Sequence, residues 1–190
     1  MEPIARTFFT RPAIDVGRDL IGKILVRRFP LRVLRARIVE TEAYIGEHDL
    51  ACHAAKGRTA RTDIMWSEGG HAYVYLIYGI HQMLNIVCSV EGDAQAVLIR
   101  AAEPLDGWAA HLTGPGNVAK GFEVTRADNG LDMTGDSLFV TEVERAPKRI
   151  VKTQRVGVDY SGRWKHRLLR FLDPDSDAVS KWKQNRKRAR

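Results

Sequence analysis

Two carboxylates and a phenol lie close together in the segment VETEAY, which contains Glu40, Glu42 and Tyr44. In a strand, residues two apart point to the same side, so these three side chains would share one face, together with Ile38. Most strand carboxylates face solvent and have no special chemistry. If this face instead lines a cleft, burial beside a second carboxylate and aromatic surface would raise the pKa of one glutamate and suit it to act as a general base.

A metal site is the second chemical hypothesis, with His48, Asp49 and His53 as ligands. Their spacing does not match a zinc template such as HExxH. A histidine and an aspartate in one loop also occur often by chance, so a metal-dependent phosphoester hydrolase is the weakest functional interpretation. The sequence has no GxSxG, P-loop or dinucleotide fingerprint, which leaves serine nucleophiles and nucleoside triphosphate hydrolysis without support.

Three tyrosines lie in the segment GGHAYVYLIYGIHQMLNIV, which has the pattern of a β-hairpin. Tyr73 and Tyr75 alternate with apolar residues, as a strand with two different faces requires. Tyr78 lies directly before Gly79 at the predicted tip, where a large ring has little to pack against. The ring either folds back over its own hairpin or contacts a partner, and the sequence leaves both open.

The elements around these residues would form one α+β domain with a curved, barrel-like, mainly antiparallel sheet, flanking helices and a protruding hairpin. A helix is predicted from Pro12 to Leu20, because proline suits the first turn and Gly22 lies near the end. Segment 45–70 has few apolar residues and is predicted as a long, functional loop with at most one short helix. Further strands are predicted over 23–29, 31–44, 94–105, 136–143, 149–158 and 167–173, and a further helix after Gly114.

The composition indicates a single domain. The chain has 190 residues, 44% of them hydrophobic, and a net charge of +7. The last ten residues carry six Lys or Arg, which leaves 24 basic against 23 acidic residues in the rest. We therefore predict a single domain over 1–178 and a flexible basic tail over 179–190, which alone would support only non-specific nucleic-acid contact. Cys52 and Cys88 lack a CxxC spacing, and no secretion signal or membrane-spanning pattern is present, which favours buried, reduced thiols in a cytoplasmic protein.

The chain contains, in order, VETEAY, GEHDLACH, GHAYVYLIYGIHQMLN, AVLIRAAEPL, GPGNVAKGF and RVGVDYSG. Together these segments resemble the successive blocks of the alkyladenine (3-methyladenine) DNA glycosylase family, with similar gaps, over about residues 5–173. Each block alone is a weak pattern, but the whole series is a specific one. The resemblance implies a base-excision repair enzyme that hydrolyses the N-glycosidic bond of a purine flipped out of duplex DNA.

The resemblance also implies the substrate and the product. The purine would be alkylated or deaminated, with 3-methyladenine foremost and 7-methylguanine, hypoxanthine and ethenoadenine as further candidates. The product would be an abasic site without strand cleavage, since no lysine stands in a nucleophile's position. The family resemblance implies no metal or cofactor, double-stranded DNA as the partner, and action as a monomer with no membrane or obligatory protein partner.

Three residues match positions with catalytic or DNA-opening roles in that family. Glu42 matches the general base that activates a water, and Arg100 matches the arginine that holds this water or the nucleotide's phosphate. A structural ion pair of Arg100 with Glu40, Glu42 or Glu103 is the alternative. Tyr78 matches the wedge that enters the minor groove and fills the space left by the flipped base.

Other matched residues would bind the substrate. Tyr44, His53 and Tyr75 match the residues that sandwich the extruded base, and Asn85 matches the residue that crowds the amino group of guanine. A lone histidine is more often structural, and a polar residue such as Asn85 in an apolar strand must find a partner or face a cavity.

Basic residues of the long loop are predicted to contact DNA phosphates, namely Lys56, Arg58 and Arg61. A non-catalytic nucleic-acid-binding module is the main alternative, and it would bind DNA in a salt-dependent way without turnover. The chain departs from the family pattern at three positions, where Pro, Asn and a basic residue would be expected: Ala60, Thr62 and Asn117.

Overall fold

The computed structural model describes residues 1–142 and 147–180, and in this part of the chain a curled antiparallel sheet of eight strands forms half a barrel with a few short helices. The predicted α+β class and single curved sheet are confirmed. The strands are β1 (Ile24–Phe29), β2 (Arg32–Tyr44), β3 (Ala72–Ile77), β4 (His81–Cys88), β5 (Gln95–Pro104), β6 (Leu138–Thr141), β7 (Val151–Thr153) and β8 (Arg170–Leu172). The helices are α1 (Arg6–Phe9), α2 (Ala13–Asp19) and α3 (Pro115–Gly121), with 3₁₀ helices at His53–Lys56, Asp63–Trp66, Arg126–Asp128 and Asp159–His166.

Strand β2 is the centre of the sheet. The order is β3-β4-β5-β2-β1-β6, and β8 pairs with both β2 and β7. The first half of β2 pairs with β1, and residues 40–42 pair with β8 on that side instead. Because β5 pairs along the other side, Glu40 and Glu42 lie between two neighbouring strands and are fully buried.

The two faces of the sheet have different neighbours. On β3, Ala72 and Val74 belong to the main hydrophobic core, which also contains residues of α2 and α3. Tyr73 belongs to a smaller cluster with Met65 and Trp66, and Tyr75 packs against that cluster. The predicted alternation of β3 is confirmed, and it places two tyrosine rings on the side opposite the main core.

The alternation of β2 is interrupted, which corrects one prediction. The register with β5 shifts between Ile38 and Glu40 and again between Glu40 and Thr41. Ile38 packs in the main core, and Thr41 donates its hydroxyl to the carbonyl oxygen of Gly17 in α2 at 2.7 Å. The prediction that Ile38 shares a face with Glu40 is wrong, because an irregular register breaks the two-residue period.

Other predicted elements agree with the structure in place and differ in extent. Helix α2 follows Pro12 directly, as the sequence indicated, whereas α1 has only four residues and no periodic pattern that could reveal it. Segment 45–70 contains two 3₁₀ helices where at most one short helix was expected. The strand predicted over 149–158 is limited to β7, and the end of the strand predicted over 136–143 and most of the basic tail lie outside the described residues.

Two further observations concern the whole described part of the chain. Cys52 and Cys88 are both buried free thiols, as predicted. No helix among the described residues has the length and apolar character needed to cross a bilayer.

Candidate active site

A cavity of about 270 Å³ opens on the side of the sheet that carries the β3 tyrosines. This volume lies near the lower end of ligand pockets, about 300–1,000 Å³, and suits one small ring system. Residues 156–158 and Tyr160 close one side of it. Six of the predicted site residues line the cavity: Tyr44, His53, Tyr75, Tyr78, Asn85 and Arg100.

Glu42 lies directly behind the cavity wall. Its Oε1 accepts the Val156 backbone N–H at 2.7 Å, and its Oε2 accepts the Tyr44 hydroxyl at 2.9 Å. The Arg100 Nε is 3.4 Å from Oε1. All three neighbouring residues line the cavity, whereas the Glu42 side chain itself is fully buried. Arg100 Nη1 also donates to Oε2 at 3.5 Å, so three of the roughly four acceptor positions of this carboxylate are used and one on Oε1 stays available for a water.

The surroundings of Glu42 suit a general base. Burial raises the pKa of Glu42 above its ordinary value, and the negative charge of Glu40 acts in the same direction. The Arg100 guanidinium, the Val156 amide and the Tyr44 hydroxyl oppose this rise because each stabilises the carboxylate. A carboxylate with a raised pKa is a stronger proton acceptor once it is ionised.

Glu40 serves a structural purpose. Its Oε1 accepts from Arg100 Nε at 3.0 Å and from Arg170 Nε at 2.7 Å, and its Oε2 accepts the Ser180 backbone N–H at 2.7 Å. Arg100 therefore forms the buried ion pair that the sequence left open, with both Glu40 and Glu42 as partners. Glu103 pairs with Arg37 instead. Glu40 therefore holds Arg100 in place, and Arg100 also pairs with Glu42 and lines the cavity.

The aromatic residues form one continuous wall. The His53 ring contacts the Tyr75 ring edge to face at a centroid distance of 4.6 Å, which leaves no room for a third ring between them. His53 Nδ1 also shares a hydrogen bond of 2.8 Å with the Tyr73 hydroxyl. A flat ligand therefore cannot lie between His53 and Tyr75, and a ligand that stacks on this wall has both rings on the same side of it.

His53 is neutral at physiological pH. Burial lowers the pKa of His53 to about 4, and the positive charges of Arg61 and Lys56 act in the same direction. Burial also raises the pKa of Tyr75 to about 12, so its phenol stays protonated. The wall is therefore uncharged and can stack on a cationic ring without repulsion.

Asn85 meets both conditions expected for a polar residue in an apolar strand. Its amide nitrogen donates to the backbone oxygens of Tyr73 at 3.0 Å and Met83 at 3.4 Å. Because both neighbours are acceptors, the NH₂ group must point to them, and the side chain is fixed at the cavity wall.

The hairpin between β3 and β4 exposes Tyr78 at its tip. The side chain is 87% exposed, so the alternative in which the ring folds back over the hairpin is wrong. Tyr78 has φ 52° and Gly79 has φ 73°. Tyrosine gains nothing from burial here and has a backbone conformation that costs free energy for a bulky residue, which points to a role outside the fold.

The basic loop residues that were predicted to contact DNA phosphates differ in whether their side chains already have an acidic partner. Lys56 and Arg61 are exposed, whereas the Arg58 Nε pairs with Asp63 at 2.5 Å. Three residues depart from the family pattern: Ala60, Thr62 and Asn117. Ala60 is exposed, and the other two have hydrogen-bond partners nearby in the chain. Thr62 is buried and hydrogen-bonded to Thr59, and Asn117 donates to the Thr113 carbonyl oxygen at 2.7 Å.

The proposed metal ligands do not come together. Both carboxylate oxygens of Asp49 accept from Arg155, and the His53 Nδ1 bonds to Tyr73. His48 contacts the edge of Trp164. Within residues 1–142 and 147–180, no group of three or more potential metal ligands is found.

Sequence reasoning missed the contribution of segment 155–160. Val156 binds Glu42 through its backbone, and Tyr160 lines the cavity and donates to the Ala51 carbonyl oxygen at 3.3 Å. The block RVGVDYSG was the available signal, but a backbone N–H has no side-chain pattern that could identify it.

A family model described as methylpurine-DNA glycosylase matches residues 7–177. Relatives are provisionally named as 3-methyladenine DNA glycosylases. One from Methanocella arvoryzae is 45% identical over 95% of this chain and 97% of its own. One from Anaeromyxobacter sp. (strain Fw109-5) is 45% identical over 98% and 99%, and one from Myxococcus xanthus is 44% identical over 95% of both chains.

Proposed function

Because the chain belongs to the methylpurine-DNA glycosylase family, we propose that it hydrolyses the N-glycosidic bond of an alkylated or deaminated purine flipped out of duplex DNA. The observation that carries this proposal is the buried Glu42 carboxylate, bonded to Val156 and Tyr44 at the wall of an aromatic cavity. We take 3-methyladenine as the foremost substrate, with 7-methylguanine, hypoxanthine and ethenoadenine as further candidates.

The proposed reaction breaks the bond between C1′ and the purine nitrogen, and the bonding electrons leave with the base. A water oxygen bonds to C1′, and Glu42 accepts a proton from that water. Arg100 orients the water or a phosphate oxygen beside the carboxylate. No lysine is found among the described residues that line the cavity, and water as the nucleophile leaves an abasic site with intact strands.

Base recognition in this proposal uses the cavity wall. An alkylated purine carries a positive charge on its ring, so it leaves more readily and stacks more strongly on electron-rich tyrosines. The base lies between Tyr44 on one side and the joined rings of His53 and Tyr75 on the other. Asn85 is held by two backbone acceptors and cannot turn away, so its side chain crowds the amino group of guanine.

Excision is tested by single-turnover incubation of the protein with labelled duplexes that carry one 3-methyladenine, hypoxanthine or ethenoadenine, with EDTA present. We expect strand breaks only after alkali, because the product is an abasic site. An undamaged duplex is the control. Binding without breaks on any lesion would support the non-catalytic module instead, and breaks before alkali would contradict a monofunctional enzyme.

Replacing Tyr78 with alanine should lower excision from duplex DNA. A wedge offsets part of the cost of unstacking, and one aromatic stack contributes about 1–3 kcal/mol, which corresponds to roughly 5- to 150-fold in rate. The thermal unfolding midpoint should not change, since the ring is 87% exposed.

The control for Tyr78→Ala is Ile80→Ala, which removes another exposed apolar side chain of the same hairpin. If Tyr78→Ala and Ile80→Ala excise duplex substrates equally fast, the wedge role is wrong.

The monomeric state and the cytoplasmic location of the protein stay predictions.

A further inference from the structure

We propose that the buried ion pair between Asp49 and Arg155 positions the general base and the base-stacking wall, so that both residues are positioning residues for excision. This inference rests on the proposed function for its meaning, but its structural part can be tested without DNA. Arg155 is not among the residues predicted from the sequence to act in the site, and Asp49 was considered there only as a metal ligand.

The geometry of the pair is bidentate. Arg155 Nη1 is 2.5 Å from Asp49 Oδ2, and Nη2 is 2.8 Å from Oδ1. Both side chains are 0% exposed. Burying two charges has a large desolvation cost, and replacing such pairs by apolar residues is often neutral or stabilising, so stability alone is a weak explanation for this one.

The first connection runs to the end of β2. Arg155 Nη1 also donates to the Ala43 carbonyl oxygen at 2.9 Å, and the guanidinium lies 4.8 Å from the centre of the Tyr44 ring. The hydroxyl of the same Tyr44 side chain donates to Glu42 Oε2 at 2.9 Å. Arg155 therefore supports the ring that forms one side of the proposed sandwich.

The second connection runs along the chain to Val156. Strand β7 ends at Thr153, and within the described part of the chain the residues that follow pair with no strand. Arg155 is held by Asp49, and the following residue donates its N–H to Glu42 Oε1 at 2.7 Å. The ion pair thereby sets the position of one of the donors that stabilise the catalytic carboxylate.

The third connection runs to the loop that leads to His53. Asp49 Oδ1 accepts the Ala51 N–H at 3.0 Å, and Oδ2 accepts the Ile45 N–H at 3.3 Å. These bonds shape the loop between β2 and the 3₁₀ helix that begins at His53. One carboxylate thus fixes the loop as well as the arginine.

Lysine cannot replace Arg155 in this arrangement. The guanidinium uses two nitrogens for Asp49 and its plane for Tyr44, while the Nε is buried without a partner among the described residues. A lysine keeps the charge but has a single nitrogen and no planar face. Arg155→Lys therefore removes the positioning while it preserves the net charge.

The test that needs no DNA is a pH titration of Glu42 in the folded protein, observed through the ¹³C NMR signal of its carboxyl carbon. Glu42 also faces Arg100, Glu40, Tyr44, Tyr75 and Tyr160, and Arg155→Lys leaves these groups chemically unchanged. The Val156 N–H favours the ionised form, so its displacement should move the midpoint to higher pH in Arg155→Lys.

Excision is measured in parallel at saturating enzyme, with Arg27→Lys as the matched control. Arg27 pairs with Asp128 at 2.8 Å, and neither residue lines the cavity. We expect the excision rate of Arg155→Lys to fall on the order of 100-fold, as for a small misplacement of reacting groups, while Arg27→Lys keeps the wild-type rate and the wild-type Glu42 midpoint. Should Arg155→Lys not fold, Asp49→Asn carries the same test, because it keeps one acceptor oxygen.

The possible outcomes are distinguishable. A Glu42 midpoint and an excision rate that both equal those of the wild type in a folded variant would overturn the positioning role. A shifted midpoint with a wild-type protein that excises no lesion would support the positioning of Glu42 and refute the proposed function.

Discussion

Glu42→Gln should lower the single-turnover excision rate on the order of 1,000-fold, within the range of 10²–10⁴ for loss of a general base. Glutamine has nearly the same size and can still accept the Val156 N–H, but it cannot take a proton from water. Affinity for a duplex that carries a lesion should stay close to that of the wild type, because Glu42 is buried behind the cavity wall. Rates and dissociation constants on the same oligonucleotide check both parts.

The thermal stability of Glu42→Gln provides a second, independent test. Burial raises the pKa of Glu42 in the folded state, so its stabilising contribution is complete below the unfolded pKa and is lost as the pH rises through the folded pKa. Ionising Glu42 therefore costs folding free energy, which glutamine at this position does not lose. Glu42→Gln should have a thermal midpoint at pH 7 no lower than that of the wild type.

The pH dependence of the wild-type excision rate should also reflect the raised pKa of Glu42. Excision requires ionised Glu42, so the rate should fall as the pH decreases through a pKa above the ordinary glutamate value. Burial lowers the pKa of His53 to about 4, so protonation of His53 does not contribute to a decrease that begins near neutral pH. The control for Glu42→Gln is Glu103→Gln, which changes a carboxylate on β5 that pairs with Arg37. This variant should keep the wild-type excision rate. Full activity in Glu42→Gln would refute the assignment of the base.

Glu40→Leu should cost about 3–5 kcal/mol of unfolding free energy, the usual penalty for removing one partner of a buried ion pair. Arg100 and Arg170 both donate to Glu40, and Ser180 donates to it through its backbone. Leucine fills much of the space, but among the described residues it leaves Arg170 with the Ser180 carbonyl oxygen alone and Arg100 with Glu42 alone. For a chain of this size the thermal midpoint should fall by about 10 °C.

Urea unfolding measures this loss, and an unchanged m value would show that the unfolded state is not responsible. Glu103→Leu is the control, since its carboxylate is partly exposed and Arg37 keeps Asp173, so the expected cost is about 1 kcal/mol or less. A Glu40→Leu protein within 1 kcal/mol of the wild type would contradict the role of Glu40 as the anchor of Arg100. Its excision rate should also fall, because Arg100 would lose one of the two carboxylates that hold it.

Local patterns determined much of the fold. The alternation in β3 predicted which tyrosines leave the main core, because in a strand the side-chain direction follows from position alone. The proline before α2 and the apolar run of β5 placed those elements correctly. The ordered blocks of residues identified the family, and the residues they pointed to come together around one cavity.

Tertiary contacts decided the rest. Ile38 faces the main core, and the irregular register of β2 after it turns Glu40 to the other face; this irregularity depends on pairing with β5 rather than on the residues of β2 alone. The Val156 amide meets Glu42 across 114 positions, and Arg155 meets Asp49 across 106. Nearby residues can predict a strand and its faces because those follow from local geometry. They cannot predict which distant backbone N–H or arginine will satisfy a buried carboxylate, since that depends on how the whole chain closes.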